Sequence, residues 1–253
     1  MADAVTEPLI RTEYISEDVI DLEQRRMEHF ESSDMSTAEK LNNIGRFLSR
    51  QELAKIAWHT DVVRNTSGVT GSILDVCVYH GHGLMLFAKA VAAFEPYNYT
   101  YKVCGFDTFA GNTEPGEKDG PNFLRHKRDF GYFADSREEI QDAVEIFDAD
   151  RSIPHIEKVV LIRGDVCEKA PRFLETHPHV MVRILSLCVN LYEPTVALRA
   201  FVPRTPKGSC IMAYVLNYNG YPSMVTSLLE EVGIWDVRLE TPPFYPAVNY
   251  IWL

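Results

Sequence analysis

Gly71-Ser72-Ile73-Leu74-Asp75-Val76-Cys77-Val78-Tyr79-His80-Gly81-His82-Gly83 is the stretch that decides the fold. It reads as an apolar strand over 72–79 that runs into a Gly-rich turn, with a helix over 84–94 behind it. A second strand over 102–107, Lys102-Val103-Cys104-Gly105-Phe106-Asp107, also ends on an acid. A Gly-rich loop at the carboxyl end of one strand, with an acid closing the next, is how an open α/β sheet holds a nucleoside. The glycines let backbone approach the ligand, and the acid accepts hydrogen bonds from ribose hydroxyls. One residue departs from this pattern: Cys77 stands where such a loop usually has its first glycine.

Working outward, strand patterns recur at 158–164, 181–189 and 208–215, and helical patterns at 136–148, 168–176, 194–202 and 223–232. Ser136, followed three residues on by Glu139, has the spacing of a capping box. Such alternation predicts a mostly parallel sheet with helices on both faces. The tail breaks the alternation. The runs 235–239 and 248–253 are separated by a Pro-Pro turn and no helix, which predicts a seven-stranded sheet with an antiparallel last strand. Upstream, Leu41, Ile44, Phe47, Leu48, Leu53 and Ile56 recur at helical spacing and predict one helix from Thr37 to Val63. Residues 1–35 form an acidic arm with room for a short helix from Ser16 to Phe30. The expected organisation is an arm with helices over 1–63 and an α/β domain over 64–253. Residues 111–135, rich in Gly, Asn, Asp and Phe, are the one long irregular segment and are placed to act as a lid.

Composition narrows the function. The 253 residues are 46% hydrophobic and 24% charged, ordinary for a globular protein. The formal charge is 25 − 36 = −11, which argues against a nucleic-acid surface. The densest basic cluster, Arg125-His126-Lys127-Arg128, is short and lies in a polar segment. No apolar run approaches the about 18 residues of a membrane span, and the acidic start does not resemble a signal peptide. Cysteines 77, 104, 167, 188 and 210 include no Cys-x-x-Cys pair, so reduced thiols and a cytoplasmic location are expected.

Several phrases together resemble the macrocin O-methyltransferase-like family of class I S-adenosylmethionine (SAM) methyltransferases. They are Ile73 to Gly83, Glu95-Pro96-Tyr97-Asn98-Tyr99, Gly105-Phe106-Asp107-Thr108-Phe109-Ala110-Gly111, Arg163-Gly164-Asp165-Val166, Leu187-Cys188-Val189-Asn190-Leu191-Tyr192-Glu193-Pro194-Thr195 and Pro203-Arg204-Thr205-Pro206-Lys207-Gly208. The resemblance covers roughly 40–250, in the family's order. It implies a Rossmann-like fold that binds SAM or S-adenosylhomocysteine. Asp75 and the following loop (Cys77, Tyr79, Gly81) would hold the methionine end. Asp107, with Thr108 and Phe109, would hold the ribose. Asp165 would lie by the adenine, and Cys188 at the edge of the pocket. Each of these acids also fits a plain strand-end or helix-cap role.

The resemblance also exposes losses. The family's fourth strand carries Asp-x-Asp-Leu-Tyr-x-Pro-Thr, where this chain has Cys188 and Asn190. Its fifth strand ends in two acids, where this chain has Tyr214 and Val215. The resemblance assigns three of these acids to magnesium and one to base or substrate contact. A thiol is soft and an amide weak, so no metal site is expected. Cys77 replaces a glycine whose backbone passes close to SAM, and either crowds the ligand or is simply tolerated. The remaining candidates for acid–base work are His80 and His82 in the loop and Tyr214 at the fifth strand's tip, with Tyr192 and Glu193 nearby. Three readings stay open: a metal-independent methyltransferase acting on a small, secondary-metabolite or sugar-type molecule; a degenerate homologue serving as a binding or partner subunit; and an enzyme reusing the pocket for cyclisation or rearrangement. Homo-oligomers, or heteromers with an active homologue, fit any of these.

Overall fold

The computed structural model describes residues 17–111, 117–119, 135–189, 191–192, 197–214, 216, 222–231, 237–245 and 248–253. The chain divides into two compact units, 1–55 and 56–253, so the boundary falls inside a helix rather than after it.

In the first unit, α1 spans Glu17–Glu31 and α2 spans Thr37–Asn42, followed by a 3-10 turn at Ile44–Arg46. The single helix expected over 37–63 is therefore two helices. Ser36 and Glu39 close a reciprocal capping box at the start of α2. Ser49 and Glu52 form a second reciprocal pair, in which the Ser49 amide donates to Glu52 and the Glu52 amide donates to Ser49 Oγ. That pair opens α3 at Arg50–Asn65. Two start signals lie within one periodic run, and each local cap competes with continued helix.

The second unit holds a seven-stranded sheet in the order β3-β2-β1-β4-β5-β7-β6. The strands are β1 Ser72–Val76, β2 Val103–Asp107, β3 Val159–Arg163, β4 Val182–Leu187, β5 Cys210–Tyr214, β6 Arg238–Glu240 and β7 Val248–Trp252. Only β7 runs against its neighbours. The connecting helices are α4 His82–Phe94, α5 Arg137–Asp150, α6 Val166–Thr176, α7 Ala197–Phe201 and α8 Pro222–Glu231. β1 lies between β2 and β4, with Val76 level with Phe106 on one side and Leu187 on the other. The chain order reverses about β1, so the carboxyl tips of β1, β2 and β4 open the crevice where such sheets bind ligands. Two apolar clusters cover the sheet. Trp58, Val62, Leu84, Phe87, Ile184 and Met212 belong to one, and Leu74, Phe106, Phe173, Leu185, Phe201 and Ile211 to the other. No helix of the described residues is long and apolar enough to cross a membrane. The basic cluster at 125–128 and most of the expected lid lie outside the described residues. Within that segment, Glu117–Asp119 forms a 3-10 turn.

The capping box expected at Ser136 does not form. Ser136 stands at the start of α5 without a capping bond, and its hydroxyl donates to the Tyr79 carbonyl. It ties the helix to the loop after β1 instead, and Ser136 is buried, where a tertiary acceptor outcompetes a local one.

Candidate functional site

The first strand is shorter than its sequence pattern. β1 stops at Val76 because Cys77 takes φ 75°, followed by Tyr79 at φ 53° and Gly81 at φ 82°. Phe109, just past β2, sits at φ 52°. Three non-glycine residues in the left-handed region thus cluster at two adjacent strand tips. Each costs of order 1–2 kcal/mol and persists only where surrounding structure holds it.

Asp107 supplies that hold. One carboxylate oxygen accepts the Tyr79 amide at 2.9 Å and the other accepts the Phe109 amide at 2.7 Å. The acid expected to meet a ribose therefore also binds the loops of β1 and β2 together. Each oxygen keeps a second lone pair for a ligand. Thr108 closes its own turn, donating to the Gly111 carbonyl at 2.7 Å. Asp165 caps α6, accepting the Cys167 amide at 2.9 Å. This leaves its other oxygen outside the cap.

Asp75 is different. It is 1% exposed, and its Oδ1 has no hydrogen-bond partner among the described residues. The Ser186 hydroxyl bonds its carboxyl, but burial dominates, aided by the charge of Asp107, and pushes its pKa up to about 7. A buried carboxylate without a cation is costly. Next to it, Gly83 leaves room. A β-carbon there would lie 3.1 Å from His59 Nε2 and 3.4 Å from Asp75 Oδ2. His59, on α3, is 2% exposed, and its ring lies 4.8 Å from that of Phe87 and 6.3 Å from that of His82. Sequence reasoning missed His59 and Ser186. Ser186 had a signal, a polar residue inside a strand buried along its whole length. His59 had none, because a helical histidine shows no facing partner in sequence.

The loop histidines are placed otherwise. His80 and His82 are exposed, and the His80 ring lies 4.2 Å from that of Tyr79. The fifth-strand candidate, Tyr214, packs edge-on against Trp58 at 5.0 Å. Burial drives its phenol far above the usual range, with the neighbouring Cys188 adding to the effect. It can donate a hydrogen bond, but it holds its proton too tightly to act as a base near neutral pH.

Cys188 follows β4 and bonds with Ser186 Oγ at 3.6 Å and with Tyr214. Burial, and then the charge of Asp75, raises its thiol well above the usual range. Cys77 behaves alike: burial, then Asp107 and Asp75, raises it to about 12. Both thiols are therefore neutral near pH 7. A neutral thiol hydrogen-bonded to a neutral phenol offers magnesium neither charge nor hard anionic oxygen, so the described part of this site does not fit that ion. Among the described residues, no group of three or more His, Cys, Asp or Glu side chains could hold a metal. Asn190, Glu193 and Val215 lie outside the described residues. Tyr192 is buried, and its amide donates to Asp119 Oδ1 at 2.6 Å. Lys118 donates to the Tyr192 hydroxyl at 2.8 Å and pairs with Glu230 at 2.8 Å. Tyr192 thus fastens the described turn of the β2–α5 connection beside the β4 tip.

This architecture matches known structures. The calicheamicin methyltransferase CalS11 superposes with a TM-score of 0.90 and 26% identity, covering 100% of this chain and 98% of that one. An apo structure of CalS11, a TDP-rhamnose 3'-O-methyltransferase of calicheamicin biosynthesis, gives 0.80 and 27%, covering 94% and 95%. The O-methyltransferase NovP gives 0.62 and 20%, with 79% of each chain, and supports the fold. No protein-family model and no curated protein sequence matches the chain.

Proposed function

We propose that this protein is a SAM-dependent O-methyltransferase that works without a metal on a small, sugar-type acceptor. The observation that carries this reading is Asp75, a buried carboxyl with one unpartnered oxygen at the tip of β1, inside a fold matched along its whole length by an O-methyltransferase. SAM brings a methyl group on a positively charged sulfonium, and its methionine end brings an ammonium. Asp75 suits a cation. Asp107, fixed by two amides, suits ribose hydroxyls. The free oxygen of Asp165 suits the adenine end.

The chain's own contribution is mainly positioning. Asp107 sets the two loops, and a fixed geometry supplies much of the acceleration of a displacement. Methylating a hydroxyl forms an O–CH₃ bond, breaks the S–CH₃ bond and releases the acceptor's proton. Tyr214 and Cys188, both neutral, can orient an acceptor oxygen but not take its proton. His82, exposed beside the loop, is the imidazole we assign to take that proton. The sugar-type acceptor is drawn from CalS11's TDP-rhamnose substrate.

The deciding experiment is calorimetry with SAM and S-adenosylhomocysteine, followed by transfer of a labelled methyl group to TDP-sugars with and without EDTA. Binding, and label transfer that EDTA leaves intact, would support the proposal. Absence of binding at millimolar cofactor would overturn it. Binding without S-adenosylhomocysteine production on any acceptor would favour a second reading, a partner subunit or an enzyme of other chemistry, for which the replaced acids at Cys188 and Tyr214 are the specific observation.

A further inference from the structure

The opposite, amino edge of the sheet holds a second buried polar cluster that the proposed chemistry does not use. Arg183 on β4 is 1% exposed and lies in the middle of the sheet. Its Nη1 donates to Glu95 Oε1 at 2.7 Å, whereas Nε and Nη2 have no hydrogen-bond partner among the described residues. These two nitrogens form one edge of the guanidinium, the edge that usually grips an anion side-on. The helix-to-strand connections here, 66–71, 95–102, 151–158 and 177–181, all belong to the described residues.

Lys158, 3% exposed, stands beside it. Its ammonium donates to the carbonyls of Asn98 and Tyr101, each at 2.9 Å. Both cations lie against the Tyr101 ring, Lys158 at 3.9 Å and Arg183 at 4.4 Å from its centre. Among the described residues Glu95 is the acid that bonds a charged head of this cluster, and it also accepts from the Tyr101 hydroxyl and from Asn98 at 3.1 Å, while Asp148 Oδ2 accepts the Lys158 backbone amide at 3.4 Å. The next cations outward have acids of their own: Arg151 pairs with Asp148 and Lys102 with Glu157. Among the described residues, these two buried cations therefore have a single carboxylate bonded to a charged head, that of Glu95 on Arg183. Unmet donors and an unmatched positive charge point to the same kind of ligand.

We propose that Arg183 and Lys158 form a binding site for one small inorganic monoanion of the chloride type, held on the Nε–Nη2 edge of Arg183. A water molecule would satisfy the donors but leave the charge. Without an anion the lysine bears that cost, since burial and the charges of Arg151 and Arg183 press its pKa down to about 8. The proposal is independent of the methyltransferase reading.

Thermal melts at fixed ionic strength, exchanging chloride for gluconate, test it directly. Chloride should raise the midpoint saturably by about 2 °C or more. Lys158→Met removes the excess charge and should lose most of this response, while Glu95→Gln increases the excess and should enlarge it. The second comparison keeps the test valid if one variant folds poorly. Crystals grown in bromide should show an anomalous peak within hydrogen-bond reach of Arg183 Nε and Nη2. Equal midpoints of the wild type in chloride and gluconate would overturn the proposal, as would a peak there with no anomalous signal, the mark of water.

Discussion

Asp75 and Glu95 are two buried or largely buried acids at opposite edges of one sheet, and their surroundings have opposite effects. Burial alone would raise both. At Glu95 the hydrogen bonds of Tyr101 and Arg183, with the Arg183 charge, outweigh it and hold the carboxyl below its ordinary range. At Asp75 only Ser186 opposes burial, and the pKa rises to about 7. The amino edge brings its own counter-ion, so its acid is a fastener. At the carboxyl edge the Asp75 Oδ1 has no hydrogen-bond partner among the described residues, which is why we propose that this acid meets a cation from outside. The unpartnered Oδ1 of Asp75 marks the same difference in geometry.

The largest expected effect comes from breaking the amino-edge pair. Arg183→Met should strand Glu95 and cost about 3–5 kcal/mol in urea unfolding. A loss below about 1 kcal/mol would mean that the pair is not structural and that the contrast with Asp75 fails.

Asp75→Asn should act in the opposite direction. A carboxyl whose folded pKa lies above its unfolded value of 3.8 is penalised when charged, so its cost grows as pH rises from about 4 to 7 and is full above that. Removing it should stabilise the protein by on the order of 3 kcal/mol at pH 8, and by progressively less towards pH 4. The same variant should lose measurable affinity for SAM and S-adenosylhomocysteine by calorimetry. Stabilisation with affinity retained would show that Asp75 is buried but not a ligand.

Backbone strain offers a finer comparison at the same edge. At φ 75° a β-branched side chain is disfavoured and glycine is at ease. Cys77→Val should therefore unfold more readily than Cys77→Gly, by about 1–2 kcal/mol in parallel melts. Equal stabilities would mean that Cys77 leaves the left-handed region in solution.

The smallest effect concerns the tie between α5 and the loop after β1. Ser136→Ala should cost about 0.5–1.5 kcal/mol through the lost bond to the Tyr79 carbonyl. Glu139→Ala should cost almost nothing, because no capping box forms there. A matching loss at Glu139, seen in denaturant midpoints, would restore the box.

Much of the fold was legible in the sequence. The alternation from Ser72 onward specified a mostly parallel sheet, and the helix-free tail specified the reversed β7, because periodicity records which residues must face a core. Less was legible where signals compete. The periodic run from Thr37 hid the break before Ser49, and the spacing of Ser136 and Glu139 suggested a cap that a tertiary bond replaced. Site residues split along the same line. Asp75 and Asp107 were visible as strand-end acids. His59, Arg183 and Lys158 were not, because each matters through a partner far away in the chain.

The sequence by itself determined the order of elements, the two strand-tip acids and the absence of carboxylates at Cys188 and Tyr214, since these depend on residue type and local period. Only the tertiary structure decided what each acid does. Asp107 ties two loops, Asp165 caps a helix, Glu95 is paired with Arg183, and Asp75 keeps one oxygen without a partner among the described residues. The charge state of a carboxyl depends on burial and on donors within a few ångströms, and those are set by how distant segments pack.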